Sequence, residues 1–343
     1  MNREIACKVA DAVLFEGHML YPYRPSAIKN RQRWTFGILY PPAYPEVSRG
    51  TERRTMHSEF LVETANNAEL QIELRFLHLS ARQVARALQD SPTTDFEPVP
   101  SLLVDNRLIE SWDEVTARSV KFKLRLPATS SPQFHFSFPG SHETEFLHNR
   151  AGELAGNIVR TQHEVTGSIA ASSQQICDGV LKLSIDVTND TASPHDAPDR
   201  NFALLISLLS AHTVLSANGA SFVSLLDPPD ALHDAVAACN NIGNFPVLVG
   251  EAPEHDMLLC SPIVLYDYPQ IAPESSHDFF DATEMDEMLT LRILTLTDEE
   301  KREMRFADER ARYLLDRTEQ NAREQLMRTH GTIRGMRPTS EKP

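Results

Sequence analysis

The four cysteines of this chain lie too far apart to form a metal or redox motif. Zinc sites and dithiol centres need thiolates only a few residues apart, usually as C-x-x-C. The spacing does not match nickel or iron–sulfur ligation either. We therefore expect no cofactor and reduced thiols, as in a cytoplasm, at Cys7, Cys177, Cys239 and Cys260.

The chain also lacks a long hydrophobic run. The longest, Ala203–Leu209, is far shorter than the roughly 20 residues of a membrane-spanning helix. Residues 1–17 contain an early acid and no uninterrupted apolar core, so we expect no signal peptide. These features predict a cytoplasmic protein that does not bind membranes.

Positive charge is scarce, because 33 Lys and Arg stand against 48 Asp and Glu, a net charge of −15. Nucleic acids and anionic membranes are bound through clustered Lys and Arg, so we expect neither as a partner. The common motifs for phosphate binding, acyl transfer and zinc-dependent hydrolysis are absent as well.

Most of the negative charge is concentrated near the end of the chain. Residues 251–300 contain thirteen Asp and Glu against one Arg, Arg292. Within them, Ser261–Glu300 joins a strand-like run, a proline-broken loop and a helix start. Such a concentration of like charge favours a surface that binds a partner protein over a catalytic site.

A group of candidate metal ligands lies inside this acidic stretch. Acids near Asp281 could stabilise a helix N-terminus through the helix dipole, which is the interpretation we favour. They could instead hold a divalent cation, with His277, Asp278 and Asp281 as ligands, or perform acid–base catalysis. The alternative function is therefore a metal-dependent hydrolase that uses the cluster at 277–287, namely His277, Asp278, Asp281, Glu284, Asp286 and Glu287.

A second distinctive stretch, near the start of the chain, combines basic and aromatic residues. Three interpretations stay open: a loop whose aromatics cover the core, a contact with a partner protein, and nucleic-acid binding through stacking and phosphate contacts. The first is favoured, and the third conflicts with the net charge. The candidate partner-binding residues here are Tyr21, Tyr23, Arg24, Lys29, Arg31, Arg33 and Trp34.

Alternating apolar and polar residues predict amphipathic strands at 70–76, 120–126 and 134–138. Asp178-Gly179 predicts a tight hairpin turn between two further strands. Strands at this spacing, with no regular helix between them, indicate antiparallel sheets packed as a sandwich. The expected class is α+β, with a β-rich domain at 1–190, a mixed β/α part at 191–296, a charged helix at 297–331 and a disordered tail at 332–343.

Several local patterns carry further expectations. Residues 8–20 resemble a strand or short mixed segment, whereas Ser80–Asp90 resembles a short helix. Asn66-Asn67 and Asn218-Gly219 each predict a turn between paired strands. Thr297 with Glu300 predicts a capping box at the start of the charged helix.

Two blocks of sequence resemble a known family. They are LYPYRPSAIKNRQRWTFG (20–37) and LYDYPQIAPESSHDFFDATEMDEMLTLRILTLTDEEK (265–301). Both resemble an uncharacterised bacterial family associated with gene clusters that encode [NiFe]-hydrogenases and their maturation proteins. The resemblance implies a non-enzymatic accessory protein that binds a hydrogenase subunit or maturation factor. It identifies no catalytic or ligand-binding residue.

The two stretches of opposite charge lead to a first prediction. We expect Arg31 or Arg33 to dock on acids of the C-terminal half, with aromatic neighbours excluding water around the pairs. Reversing both charges, Arg31→Glu with Arg33→Glu, should lower the melting temperature by several degrees, and high salt should weaken the effect. A double variant that melts like the wild type but loses a partner protein would instead make the stretch an interface.

Overall fold

The computed structural model describes residues 2–17, 35–88, 95–128, 131–270 and 293–307, and also 312, 313, 315, 316, 318 and 319; at 65–67, 306 and 307 it describes the backbone alone. By its internal contacts the chain divides into two compact units. The first comprises Met1–Met19 and Arg33–Ile271, and the second comprises Leu20–Gln32 and Ala272–Pro343.

Strands dominate the described residues, which also include five α-helices with defined bounds and a 3₁₀ helix at Asp230–Leu232. The helices are α1 (Asn2–Phe15), α2 (Pro45–Ser48), α3 (Arg200–Leu205), α4 (His233–Ala237) and α5 (Asp298–Ala307). The strands are β1 (Thr55–Ala87), β2 (Phe96–Val99), β3 (Ser101–Val104), β4 (Arg107–Glu110), β5 (Glu114–Leu126), β6 (Gln133–Phe138), β7 (Ser141–His148), β8 (Leu154–Gln162), β9 (Val165–Cys177), β10 (Val180–Asn189), β11 (Leu209–Phe222), β12 (Phe245–Leu248) and β13 (Met257–Ser261).

One strand of 33 residues, β1, connects most of the sheet. Its first part pairs with β10, its middle with β11 and β5, and its end with β8 and β2, always antiparallel. The order β12-β13-β11-β1-β10-β9-β6 runs through the sheet, with β7 beyond β8. Only β3 and β4 form a separate two-stranded sheet in the described part of the chain.

The core lies on one face of β1, where Leu70, Ile72, Leu74 and Phe76 are fully buried. This confirms the alternation read from the sequence. The sheet curls, so that β6 packs over β1 and β5: the Phe136 and Phe138 rings lie 6.0 and 5.7 Å from Phe76, and the Phe134 ring lies 4.3 Å from Phe122.

Gly167 on β9 permits this packing. A Cβ at Gly167 would lie 2.4 Å from Cζ of Phe136, which is its register partner on β6. The aromatic ring therefore occupies the space that any side chain at position 167 would need.

The mostly antiparallel β architecture is confirmed, whereas the α+β class and the sandwich packing stay predictions. Strands on both sides of the expected boundary at residue 190 pair with β1, β10 before it and β11 after it. The division by internal contacts falls at other positions.

Two helix and strand assignments were wrong. The described part of 8–20 is not a strand but continues α1, because Ala6, Val9, Ala10, Val13 and Leu14 recur at helical spacing and are all buried. The expected helix at Ser80–Asp90 is strand through Ala87. There, pairing with β8 and β2 on opposite edges overrides local propensity.

Two of the three expected turns were wrong as well. β1 runs through Asn66-Asn67 as a bulge, with a register shift between Thr64 and Glu69. β11 runs through Asn218-Gly219, opposite that bulge, so Gly219 uses its positive φ of 75° inside the strand. Asp178-Gly179 does join β9 to β10, as predicted, with Gly179 at φ 75°.

In the second unit, the predicted capping box is confirmed. Glu300 Oε2 accepts a hydrogen bond from the Thr297 amide at 2.9 Å, and Thr297 Oγ1 accepts one from the Glu300 amide at 3.3 Å. The single helix expected over 297–331 does not extend straight from α5 to residue 316, because Arg305 Nε lies 3.1 Å from Asp316 Oδ1. A straight helix would separate these residues by roughly 16 Å, so 316 lies beside α5.

The curled packing predicts a large cost for removing the Phe76 ring. Phe76→Ala should lower the free energy of unfolding by about 3–5 kcal/mol, since a fully buried ring leaves a cavity. Denaturant unfolding measures it, with Phe146→Ala as control, because that ring is 56% exposed on β7. Equal losses in the two variants would contradict the assignment of the core.

Candidate interaction surface

The site residues predicted from sequence lie outside the described residues, so their roles stay predictions. The set comprises Tyr21, Tyr23, Arg24, Lys29, Arg31, Arg33, Trp34, His277, Asp278, Asp281, Glu284, Asp286 and Glu287. The described residues that flank both stretches do form a distinctive surface.

Residues 262–268, which we call the presenting segment, follow β13, and their side chains alternate between partly buried and exposed from Ile263 to Tyr266. Ile263 and Leu265 point inward and pack on the cluster formed by α1 and strands β11 to β13. Val264 and Tyr266 point outward and are 74% and 86% exposed. Large apolar side chains at such exposure are unusual outside binding surfaces when several lie together.

The C-terminal end of the presenting segment is held by hydrogen bonds to its neighbours. Asp267 Oδ1 accepts from the Leu248 amide at 2.8 Å, and Asp267 Oδ2 accepts from Ser224 Oγ at 2.5 Å. The Tyr268 amide donates to the Leu248 carbonyl at 2.7 Å, and its hydroxyl donates to the Glu254 carbonyl at 3.0 Å. These bonds, with the inward side chains, fix the direction in which Val264 and Tyr266 project.

The start of the presenting segment lies against Gly37. A Cβ at Gly37 would be 2.6 Å from the Pro262 Cβ, and Gly37 has a φ of 59° that favours glycine. Its carbonyl accepts a hydrogen bond from the Ala211 amide at 2.9 Å, which fixes it to β11. The preceding residue, Phe36, is 50% exposed. We group the exposed side chains Phe36, Val264 and Tyr266 as the exposed patch, because Gly37, next to Phe36, lies against Pro262 at the start of the presenting segment.

The surroundings of the presenting segment are acidic. Residues 250–270 contain four acids and no Lys or Arg. Three of these acids affect Tyr268. Burial raises the pKa of the Tyr268 hydroxyl, and the negative charges of Asp267, Glu254 and Asp256 raise it further.

A set of polar side chains around Glu59, which we call the Glu59 cluster, was not predicted from the sequence. Glu59 Oε2 accepts from the Asn240 amide at 2.8 Å, and Glu59 Oε1 accepts from Ser184 Oγ at 3.1 Å and lies 3.2 Å from Lys182 Nζ. Burial opposes ionisation of this carboxyl, but these hydrogen bonds outweigh it and lower the pKa of Glu59.

His57 belongs to the same face, with Nδ1 2.7 Å from Asp186 Oδ1 and Nε2 3.7 Å from Glu59 Oε1. Asn241 adds bonds to the amide and carbonyl of Glu59. The cluster thus attaches the loop after α4 to β1 and β10. In the sequence, His57 and Glu59 lie two residues apart, as do Lys182, Ser184 and Asp186. That these side chains share one face becomes clear only when the register of β1 with β10 is known.

The described residues hold no group of three His, Cys, Asp or Glu side chains arranged to bind a metal ion. The four cysteines are free, and burial raises the pKa of the Cys260 thiol to about 11. Among the described helices, none has the length and apolar character needed to cross a membrane.

Comparison with known proteins identifies no family. No protein-family description and no curated protein matches the chain. Among solved structures, the Salmonella SPI-1 type III secretion injectisome secretin InvG (residues 176 to the end, open gate state) aligns with 72% of this chain and 67% of its own, at 12% identity. The TM-score of 0.16 is too low to bear on fold or function.

The Glu59 cluster predicts a pH-dependent stability. A lowered pKa means that ionised Glu59 stabilises the fold above its unfolded pKa of about 4.3, and that this stability is lost as pH falls through the folded pKa. Glu59→Gln should lower the free energy of unfolding at pH 7 by about 1–3 kcal/mol.

Denaturant unfolding at pH 7 and pH 3 measures this, and the difference from the wild type should shrink at the lower pH. Glu97→Gln is the control, since Glu97 pairs with Arg86 on the surface and exposed pairs are worth about 0–1 kcal/mol. An equal loss for Glu59→Gln at both pH values would refute the role of its charge.

Proposed function

We propose that this protein is a non-enzymatic accessory protein that binds a partner protein through the exposed patch. The observation that carries the proposal is the outward projection of Val264 and Tyr266 from a presenting segment fixed at both ends. Binding energy at protein interfaces is concentrated in a few residues, among which Tyr is enriched.

The anchoring of the presenting segment supports this proposal energetically. A loop that must be ordered on binding loses conformational entropy, which weakens the complex. Here Asp267, Tyr268 and Gly37 hold the backbone before any partner arrives. Two exposed apolar side chains on such a backbone would gain contact area at little ordering cost.

The partner that we propose is a hydrogenase subunit or maturation factor in the cytoplasm. The support is the resemblance of 20–37 and 265–301 to the hydrogenase-associated family, since Phe36 and Tyr266 of the exposed patch lie within these two blocks. The residues predicted from sequence between Tyr21 and Trp34 and between Asp278 and Glu287 stay candidate partner contacts. Stacking of β6 on β1 and β5 likewise supports the proposed α+β, sandwich-like class.

A pull-down from the native host tests the function. The bait is the tagged full chain as wild type, as Val264→Ser with Tyr266→Ala, or as the control Leu103→Ser, whose side chain is 64% exposed on the β3–β4 hairpin. Wild type and control should capture the same partner. The double variant should bind it at least about 30-fold more weakly, since loss of a hot-spot residue costs about 2 kcal/mol or more.

Thermal melting of the three baits checks that all are folded. A partner retained equally by the double variant would show that the exposed patch is not the interface. A stoichiometric, tightly held metal together with turnover in a hydrolase substrate panel would support the alternative function at 277–287.

A further inference from the structure

We infer that the exposed patch binds an extended, cationic segment of the partner, in which Lys or Arg alternates with apolar residues. This inference rests on the proposed function and specifies the chemistry of the partner. It starts from the absence of Lys and Arg between 250 and 270, where Glu251, Glu254, Asp256 and Asp267 all lie. An apolar patch in such surroundings would repel an anionic segment and attract a cationic one.

The arrangement of the acids strengthens this inference. Glu254 contacts the presenting segment directly, because its carbonyl accepts from the Tyr268 hydroxyl. Asp267 lies within the segment, next to Tyr266, and the raised pKa of Tyr268 reflects the charges of Asp267, Glu254 and Asp256. These negative charges therefore lie beside Tyr268, two residues along the chain from the exposed Tyr266.

The Tyr266 ring offers a second point of recognition for a cation. Its exposure of 86% leaves a ring face open to solvent. A Lys ammonium or Arg guanidinium over a Tyr face is attracted by the ring quadrupole. Flanking acids add Coulombic attraction to the same group, so the two interactions reinforce each other.

The geometry of the presenting segment favours an extended occupant. Val264 and Tyr266 lie two residues apart where partly buried and exposed side chains alternate. This alternation is the pattern of extended backbone, in which such side chains are spaced by roughly 6.5 Å along one face. The side chains on one face of an extended peptide have the same spacing. A partner strand can therefore place an apolar residue on Val264 and a cation on Tyr266.

A second copy of this chain fits the surface poorly. A symmetric dimer brings the same patch of each protomer together. Here that contact would place the acids of residues 250–270 against their own copies, without any Lys or Arg in that range to compensate. Like-charge repulsion thus disfavours a symmetric dimer formed through these acids.

Fluorescence anisotropy with labelled peptides tests the inference on the full chain. The probe is a heptapeptide in which Lys and Leu alternate, and its matched control replaces each Lys by Glu. The Lys-Leu peptide should bind at least about 10-fold more tightly at low salt, and its affinity should fall as ionic strength rises. Tyr266→Ala and Glu254→Gln should each weaken binding several-fold, whereas Leu103→Ser and Glu97→Gln should not.

Equal binding of the two peptides, or unchanged binding to Tyr266→Ala, would overturn the inference. So would a dimer, detected by light scattering, that dissociates when Tyr266 is changed to Ala, because the occupant would then be a second copy.

A competition experiment separates this inference from the proposed function. A partner captured through the exposed patch that excess Lys-Leu peptide does not displace would refute the cationic segment and leave the proposed function intact. Peptide binding without any captured partner would refute the proposed function alone.

Discussion

The backbone of β1 is paired with a neighbouring strand, on one edge or on both, along nearly all of its 33 residues, and much of the structure depends on this pairing. Buried amide and carbonyl groups are costly when unpaired. No strand of ordinary length could pair with the whole of β1. β10 and then β5 therefore pair with successive parts of it, and β8 and β2 pair with its C-terminal end. The sheet formed by these successive partners of β1 curls and brings Phe136 and Phe138 of β6 onto Phe76.

The surface features depend on the same framework through hydrogen bonds between side chains and backbone. Glu59 and Asn241 attach the loop after α4 to the β1–β10 pair, and Asp267 attaches the presenting segment to Leu248 on β12. Each attachment uses a polar side chain to bind backbone groups that no neighbouring strand pairs. The regular sheet thereby determines the position of segments that have no regular structure, including the one that presents Val264 and Tyr266.

The sequence predicted the parts of this fold that depend on local pattern. Period-two alternation identified residues 70–76 and 120–126, and Asp178-Gly179 identified its hairpin. Asn218-Gly219 carries the stronger turn signal and yet lies within β11, where Gly219 keeps its positive φ opposite the bulge in β1. The helical character of residues 80–87 was likewise overridden by strand partners 9 to 80 residues away. The exposed patch could not be derived from sequence, since it depends on which side chains of 262–268 the α1 cluster buries.

The succession of partners along β1 also has a consequence for synthesis. Thr55 pairs with Thr188 and Leu77 with Leu209, so more than 130 residues separate these register partners. Contacts of such long range are associated with slow folding. During translation β1 would emerge from the ribosome well before β10 and β11 exist, with its edges and its apolar face unprotected. At elongation rates of about 5–20 residues per second this interval lasts several seconds, and in that time the edges of β1 are open to pairing with another molecule.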